Sequence, residues 1–199
     1  MRKTIFLNGS GRTETATTNV KPNRIGLRNA TLLTMALGLL LSTGCKKDDN
    51  DRKPVDVPDR YTGLSQKTVQ ELKEVRTATS RYKDIQNAVA DGYDDISVVV
   101  EHMGFHYMKA SLADTIFDYR KPEILVYNKN NEGKVELVAV EYAVPISLRP
   151  NSAPEGFTGS TDVWKRDTGF GLWLLHAWVW EYNPDGVFNP TNPSIHLHQ

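Results

Sequence analysis

From Ser65 to Tyr93 the chain reads SQKTVQELKEVRTATSRYKDIQNAVADGY, with apolar residues at Val69, Leu72, Val75, Tyr82, Ile85 and Val89. Spacings of three, three, seven, three and four place them on one stripe of a helix of about 25 residues. Ser65 supplies an N-cap and Asp91-Gly92 a stop. Lys, Glu and Arg between the stripe positions form the solvated face, so this helix covers something else and carries no chemistry of its own.

Downstream the period changes to two. PEILVYNKNNEGKVELVAVEYAVPI predicts strands over Glu123–Lys129 and Lys134–Val144, joined by the turn NNEG with Gly133 at positive φ. Alternation sets Val135, Leu137, Ala139, Glu141 and Ala143 on one face, and Glu136, Val138, Val140, Tyr142 and Val144 on the other. Both faces are largely apolar, which marks a central strand covered on both sides. GLWLLHAWVWEYN, Gly171 to Asn183, predicts a further strand ending at the turn NPDG. Between Ser147 and Phe170 runs a stretch rich in Pro, Gly and Ser, which reads as a lid or binding loop. No repeat is present. The predicted architecture is α+β, a long N-terminal helix packed on a small antiparallel β-sheet with long irregular loops.

The first 64 residues follow neither pattern. Ala30 to Leu41 is an apolar run preceded by basic residues and followed by the small residues STG. Twelve residues span about 18 Å, too short for a hydrocarbon core of about 30 Å, so the run reads as the h-region of a signal peptide. The chain's single cysteine, Cys45, follows it, and a lone cysteine allows no internal disulfide. After it, KKDDNDRKPVDVPDRYTG holds too little apolar surface to offset its ordering entropy and reads as a flexible tether. The domain organisation is therefore 1–44 signal peptide, 45–64 anchor and tether, and 65–199 a single domain.

The formal charge is zero, with 24 basic and 24 acidic residues. Six of the bases and one acid fall within residues 1–45, leaving 18 bases against 23 acids, about −5, in the remainder. A domain of that sign lacks the Lys/Arg clusters that displace counterions from a phosphate backbone, so nucleic acid is not a partner.

The segment ending at Cys45 resembles the lipobox of bacterial lipoproteins, although Ser42 stands where that motif has leucine and Leu41 lies one residue further back. The resemblance implies cleavage before Cys45, diacylation of its sulfur and attachment to a membrane. CKKDDND resembles the tether of surface-exported lipoproteins of Bacteroidota, which implies an outer-membrane lipoprotein, periplasmic or surface-exposed. MGFHY, PEILVY, VEY and LHAWVWEYNPDGVFNPTNP, spread over Asp91 to Pro193, resemble a family of uncharacterised secreted bacterial proteins. That resemblance implies secretion and one domain, and assigns no reaction.

Two of the chain's five histidines, His102 and His106, lie four apart in EHMGFHYMK. Residues four apart converge on one side of either a strand or a helix. With Glu101 beside them, the stretch fits a metal site, a general base with its orienting partner, or packing. Neutral imidazole suits Zn, Cu, Ni or Fe, and Glu141 can add an oxygen ligand. His176 sits among tryptophans, where a buried imidazole needs a partner. His106, His176 and Glu141 can meet at one end of the sheet, and the candidate metal or ligand set is His102, His106, His176 and Glu141. His196 and His198 in the C-terminal HLHQ read as an edge strand or a frayed end.

The zincin pattern H-E-x-x-H, the nucleophile elbow G-x-S-x-G and both nucleotide-binding glycine motifs are absent, so no cofactor other than a transition-metal ion is indicated. The sequence thus predicts a lipid-anchored envelope protein whose domain binds a small molecule or a metal ion. Two alternatives stay open. One is a hydrolase or lyase with His106 as general base, the other a structural surface subunit.

Overall fold

The computed structural model describes residues 56–197. The expected signal peptide and Cys45 lie outside them, as does His198. Six strands form one antiparallel sheet: β1 Asp94–Val100, β2 Gly104–Met108, β3 Ile124–Lys129, β4 Val135–Pro145, β5 Lys165–Asp167 and β6 Leu172–Ala177. Their order across the sheet is β1-β2-β3-β4-β6-β5. Helix α1, Gln66–Thr79, is followed by a 3-10 turn at Ser80–Lys83 and a short helix α2, Ile85–Ala90. No helix among the described residues is long and apolar enough to cross a membrane.

The expected long helix on a small sheet is overturned: the sheet is the larger element and the helix is interrupted. The Ser65 hydroxyl caps α1 by accepting from the Thr68 amide at 3.0 Å. The helix ends in TATSRYKD, where short polar side chains compete for backbone groups. Thr79 donates back to the Val75 carbonyl at 2.8 Å, and Asp84 restarts the chain by accepting from the Gln86 amide. The break rotates the stripe's phase, so Ala88 is fully buried and Val89, assigned to the buried stripe, is 47% exposed. The sheet is larger than predicted because DDISVVV, GFHYM and KRD are strands as well. In β1 most residues are exposed, and the register slips between Asp95 and Val99, which erases any alternation.

The two faces bury different clusters. Leu125, Tyr127, Val140, Tyr142 and Leu175 meet Leu72 and Val75 of α1. Ile124, Val126, Ala139 and Ala143 occupy the other face with Trp178 and Ile195. The predicted alternation of β4 fails at its start, because the register shifts opposite Val126 and Tyr127. Leu137 consequently joins the α1 face and Val138 the opposite one.

Three further expectations change. The strand predicted to run to Asn183 leaves the sheet after Ala177, and the Trp178 amide instead donates to the Val187 carbonyl at 2.9 Å. The loop predicted as a lid lies largely on the helix side: Glu71 accepts from the Thr158 amide at 2.8 Å and its hydroxyl at 2.6 Å. Phe157 is buried there against Phe117 and Phe188. Finally, one residue near the end of the predicted tether, Tyr61, is tied to the domain, although most of residues 56–64 are exposed. The Tyr61 hydroxyl donates to the Trp178 carbonyl and accepts from the Asn183 amide, each at 2.9 Å.

Candidate metal centre

On the face away from α1, side chains from three strands of the sheet converge. His106 on β2 and Glu141 on β4 are separated by β3, so no ladder pairs them directly. Yet His106 Nε2 lies 3.8 Å from Glu141 Oε2. His176, one strand further on, is register-paired with Glu141, and its Nδ1 lies 3.2 Å from Oε1. The rings of His106 and His176 are 6.4 Å apart and nearly perpendicular. These side chains are 3–4% exposed, and each contributes one ligand atom to a group in which all three lie within 4.8 Å.

Local structure sets each residue. His106 alternates with Phe105 and Tyr107, which pack toward the α1 side, so its ring is directed to the opposite face. Gly104 opens β2 at φ +120°, and a Cβ there would stand 2.2 Å from the Tyr127 carbonyl oxygen. Only glycine lets β2 lie this close to β3. The bulge in β1 swings the Val98 carbonyl to 3.0 Å from His106 Nδ1. A carbonyl only accepts, so Nδ1 carries the proton and Nε2 presents its lone pair toward Glu141. This carbonyl–imidazole contact is the arrangement that orients metal-binding histidines.

Burial controls the charges. It pushes the Glu141 carboxyl up to about 8, and with help from His106 and Lys165 it pulls His176 down to about 3. His106 is likewise lowered by burial. The 3.2 Å approach of Glu141 to His176 has the geometry of an ion pair. The burial of both groups favours instead a neutral pair joined by one proton. The other ring nitrogen, His176 Nε2, is buried and makes no hydrogen bond among the described residues.

Donor atoms on a tetrahedral ion with bonds near 2.0–2.1 Å stand about 3.3 Å apart. The spacings of 3.2 and 3.8 Å around Glu141 therefore need only small side-chain movements to close on an ion. Two imidazoles and a carboxylate form a set used for zinc and for non-haem iron. These groups can hold a metal ion.

Above them opens a cavity of about 440 Å³. Its walls are apolar, built from residues such as Ile96, Met103, Met108, Leu172 and Leu174, with Phe170 at the rim. Lys165 and Asp167 also line it and pair with each other at 3.7 Å.

The fourth predicted residue, His102, is elsewhere. It occupies the β1–β2 turn at φ +64°, a left-handed conformation strained for a residue with a Cβ. Its Nδ1 bonds the Ile195 carbonyl at 3.0 Å, while its own carbonyl accepts from the Asn192 amide at 2.8 Å. His102 thus fastens the C-terminal segment to the hairpin. With Glu101 and His196 it forms a second, largely exposed His/Glu group. Sequence reasoning did not find Gly104 or the Val98 carbonyl. The glycine inside MGFH was the available signal for the first, and a backbone carbonyl leaves none.

No family model, curated protein or solved structure matches the chain.

Proposed function

We propose that this chain is a lipid-anchored cell-envelope protein whose domain binds a transition-metal ion through His106, Glu141 and His176. The observation carrying this reading is the buried convergence of His106, Glu141 and His176, three side chains whose ligand atoms all lie within 4.8 Å of one another. Two nitrogens and one oxygen suit Zn, Fe, Cu or Ni over Mg or Ca, which prefer all-oxygen shells. Anchoring rests on the lipobox-like segment ending at Cys45. Near-stoichiometric metal in protein purified without a histidine tag, lost in Glu141→Gln and His106→Ala while the fold persists, is the expected result. Metal-free protein that takes up none of the four ions on reconstitution overturns the reading. Palmitate labelling in a bacterial host, abolished by Cys45→Ser, tests the anchor separately.

A second reading has its own support. A buried carboxylate touching an imidazole beside an open cavity is also the equipment of a hydrolase or lyase, with the unprotonated Nε2 of His106 as general base. Turnover that survives removal of metal by chelation would favour it.

A further inference from the structure

We infer that the cavity over the triad takes a small molecule with an apolar body and a single polar donor group, the donor completing the shell of the ion. This inference rests on the metal reading above.

The first observation is how polarity is distributed. Among the described residues, polar side chains line the cavity at two places: the His106–Glu141–His176 floor and the Lys165–Asp167 pair. That pair neutralises itself, so it makes no demand for a charged ligand. Between the two, Ile96, Val98, Val100, Met103, Leu172 and Leu174 offer no hydrogen bonds from their side chains. A polar body placed among them would lose its hydration with nothing in return. At about 440 Å³ the volume falls within the range of small-molecule sites, about 300–1,000 Å³.

Geometry supplies the second observation. Three protein ligands leave at least one position open on a four-coordinate ion. All three come from one sheet face, and that face is the floor of the cavity. A ligand entering from solvent therefore meets the ion with its head and the apolar walls with its body. The third observation is exposure at the rim: Phe170 is 60% and Ile96 38% exposed. Both line the cavity, and a ligand would cover them.

Co(II)-loaded protein gives a direct readout, because its visible spectrum changes when an inner-sphere ligand binds. Acetate and octanoate carry the same head and differ by six methylenes. Each buried methylene is worth about fourfold in affinity, so octanoate is expected to bind at least a hundredfold more tightly than acetate. Ile96→Glu and Phe170→Glu alter exposed positions and leave the ion in place. Each is expected to remove at least tenfold of the octanoate advantage with little effect on acetate. Equal affinities for the two acids in Co(II)-loaded protein overturn this inference and leave the metal reading standing. Protein that takes up no Co(II), Zn, Fe, Cu or Ni overturns both.

Discussion

Glu141 and His176 are register partners on β4 and β6, with Oε1 3.2 Å from Nδ1, and both are buried beneath the same cavity. Their shared proton links stability, metal affinity and pH.

In the folded chain Glu141 keeps its proton up to about pH 8, against an ordinary value of 4.5. Between those values the folded state binds more protons than the unfolded one, so stability falls as pH rises. His176 acts in reverse: unfolded it protonates below 6.5, folded only below about 3, so stability rises across that window. Glu123, raised to about 7 by burial, adds to the fall until it too ionises. Metal-free protein is therefore expected to lose about 1–2 kcal/mol between pH 6.5 and 8, measured by denaturant titration. Glu141→Gln should remove most of that slope. Zn(II) should reverse it, since the ion takes the carboxylate form and its apparent affinity climbs toward pH 8.

The two histidines of the triad should separate by stability. His176 is buried and stacked on Trp178 at 6.1 Å, so His176→Ala removes that packing and is expected to cost about 2–4 kcal/mol. His106→Ala forfeits one hydrogen bond to Val98 at the edge of the open cavity and should cost about 1–2 kcal/mol. Both should abolish metal binding. Thermal melts with metal analysis of each variant check the pair.

Gly104→Ala adds only a methyl group, but places it against the Tyr127 carbonyl in a backbone conformation that favours glycine. Loss of about 3 kcal/mol or more is expected, from steric overlap and strain together. The surviving folded fraction should bind metal weakly, because β2 must shift and carries His106 with it. Urea unfolding and metal titration read the two effects.

Glu71 anchors the Thr158 part of the long loop on α1, while only the loop's end, from Lys165 to Phe170, lines the cavity. Glu71→Ala is therefore expected to reduce stability by about 1–3 kcal/mol while leaving metal affinity within twofold. A larger change in affinity would restore the loop as a lid.

Legibility in the sequence followed the physics of each element. Strand β4 was readable because it is long, apolar on both sides and followed a recognisable turn. Its internal shift near Val138 was not, since a bulge depends on the partner strand. The helix stripe was clear through Val75. It failed at Val89, where a local contest between Asp84 and the backbone reset the phase. His106, Glu141 and His176 were separately conspicuous as polar residues in apolar surroundings. What brings them within reach of one another is the strand order and register, which set β2, β4 and β6 close together, and no residue pattern states it. His102 was grouped with His106 by spacing alone, but its left-handed backbone sends it to the C-terminal segment.

The carbonyl that holds His106 belongs to β1, which among the described residues is an outermost strand paired with β2, with most of its residues exposed. Such strands open locally far more often than the whole molecule unfolds. Each opening would release the imidazole and remove a wall of the cavity in the same event. The residence time of a bound ion would then be set by the breathing of one frayed edge rather than by the strength of its coordinate bonds. Slower amide exchange along Ile96–Val100 on metal loading would be the mark of that gate.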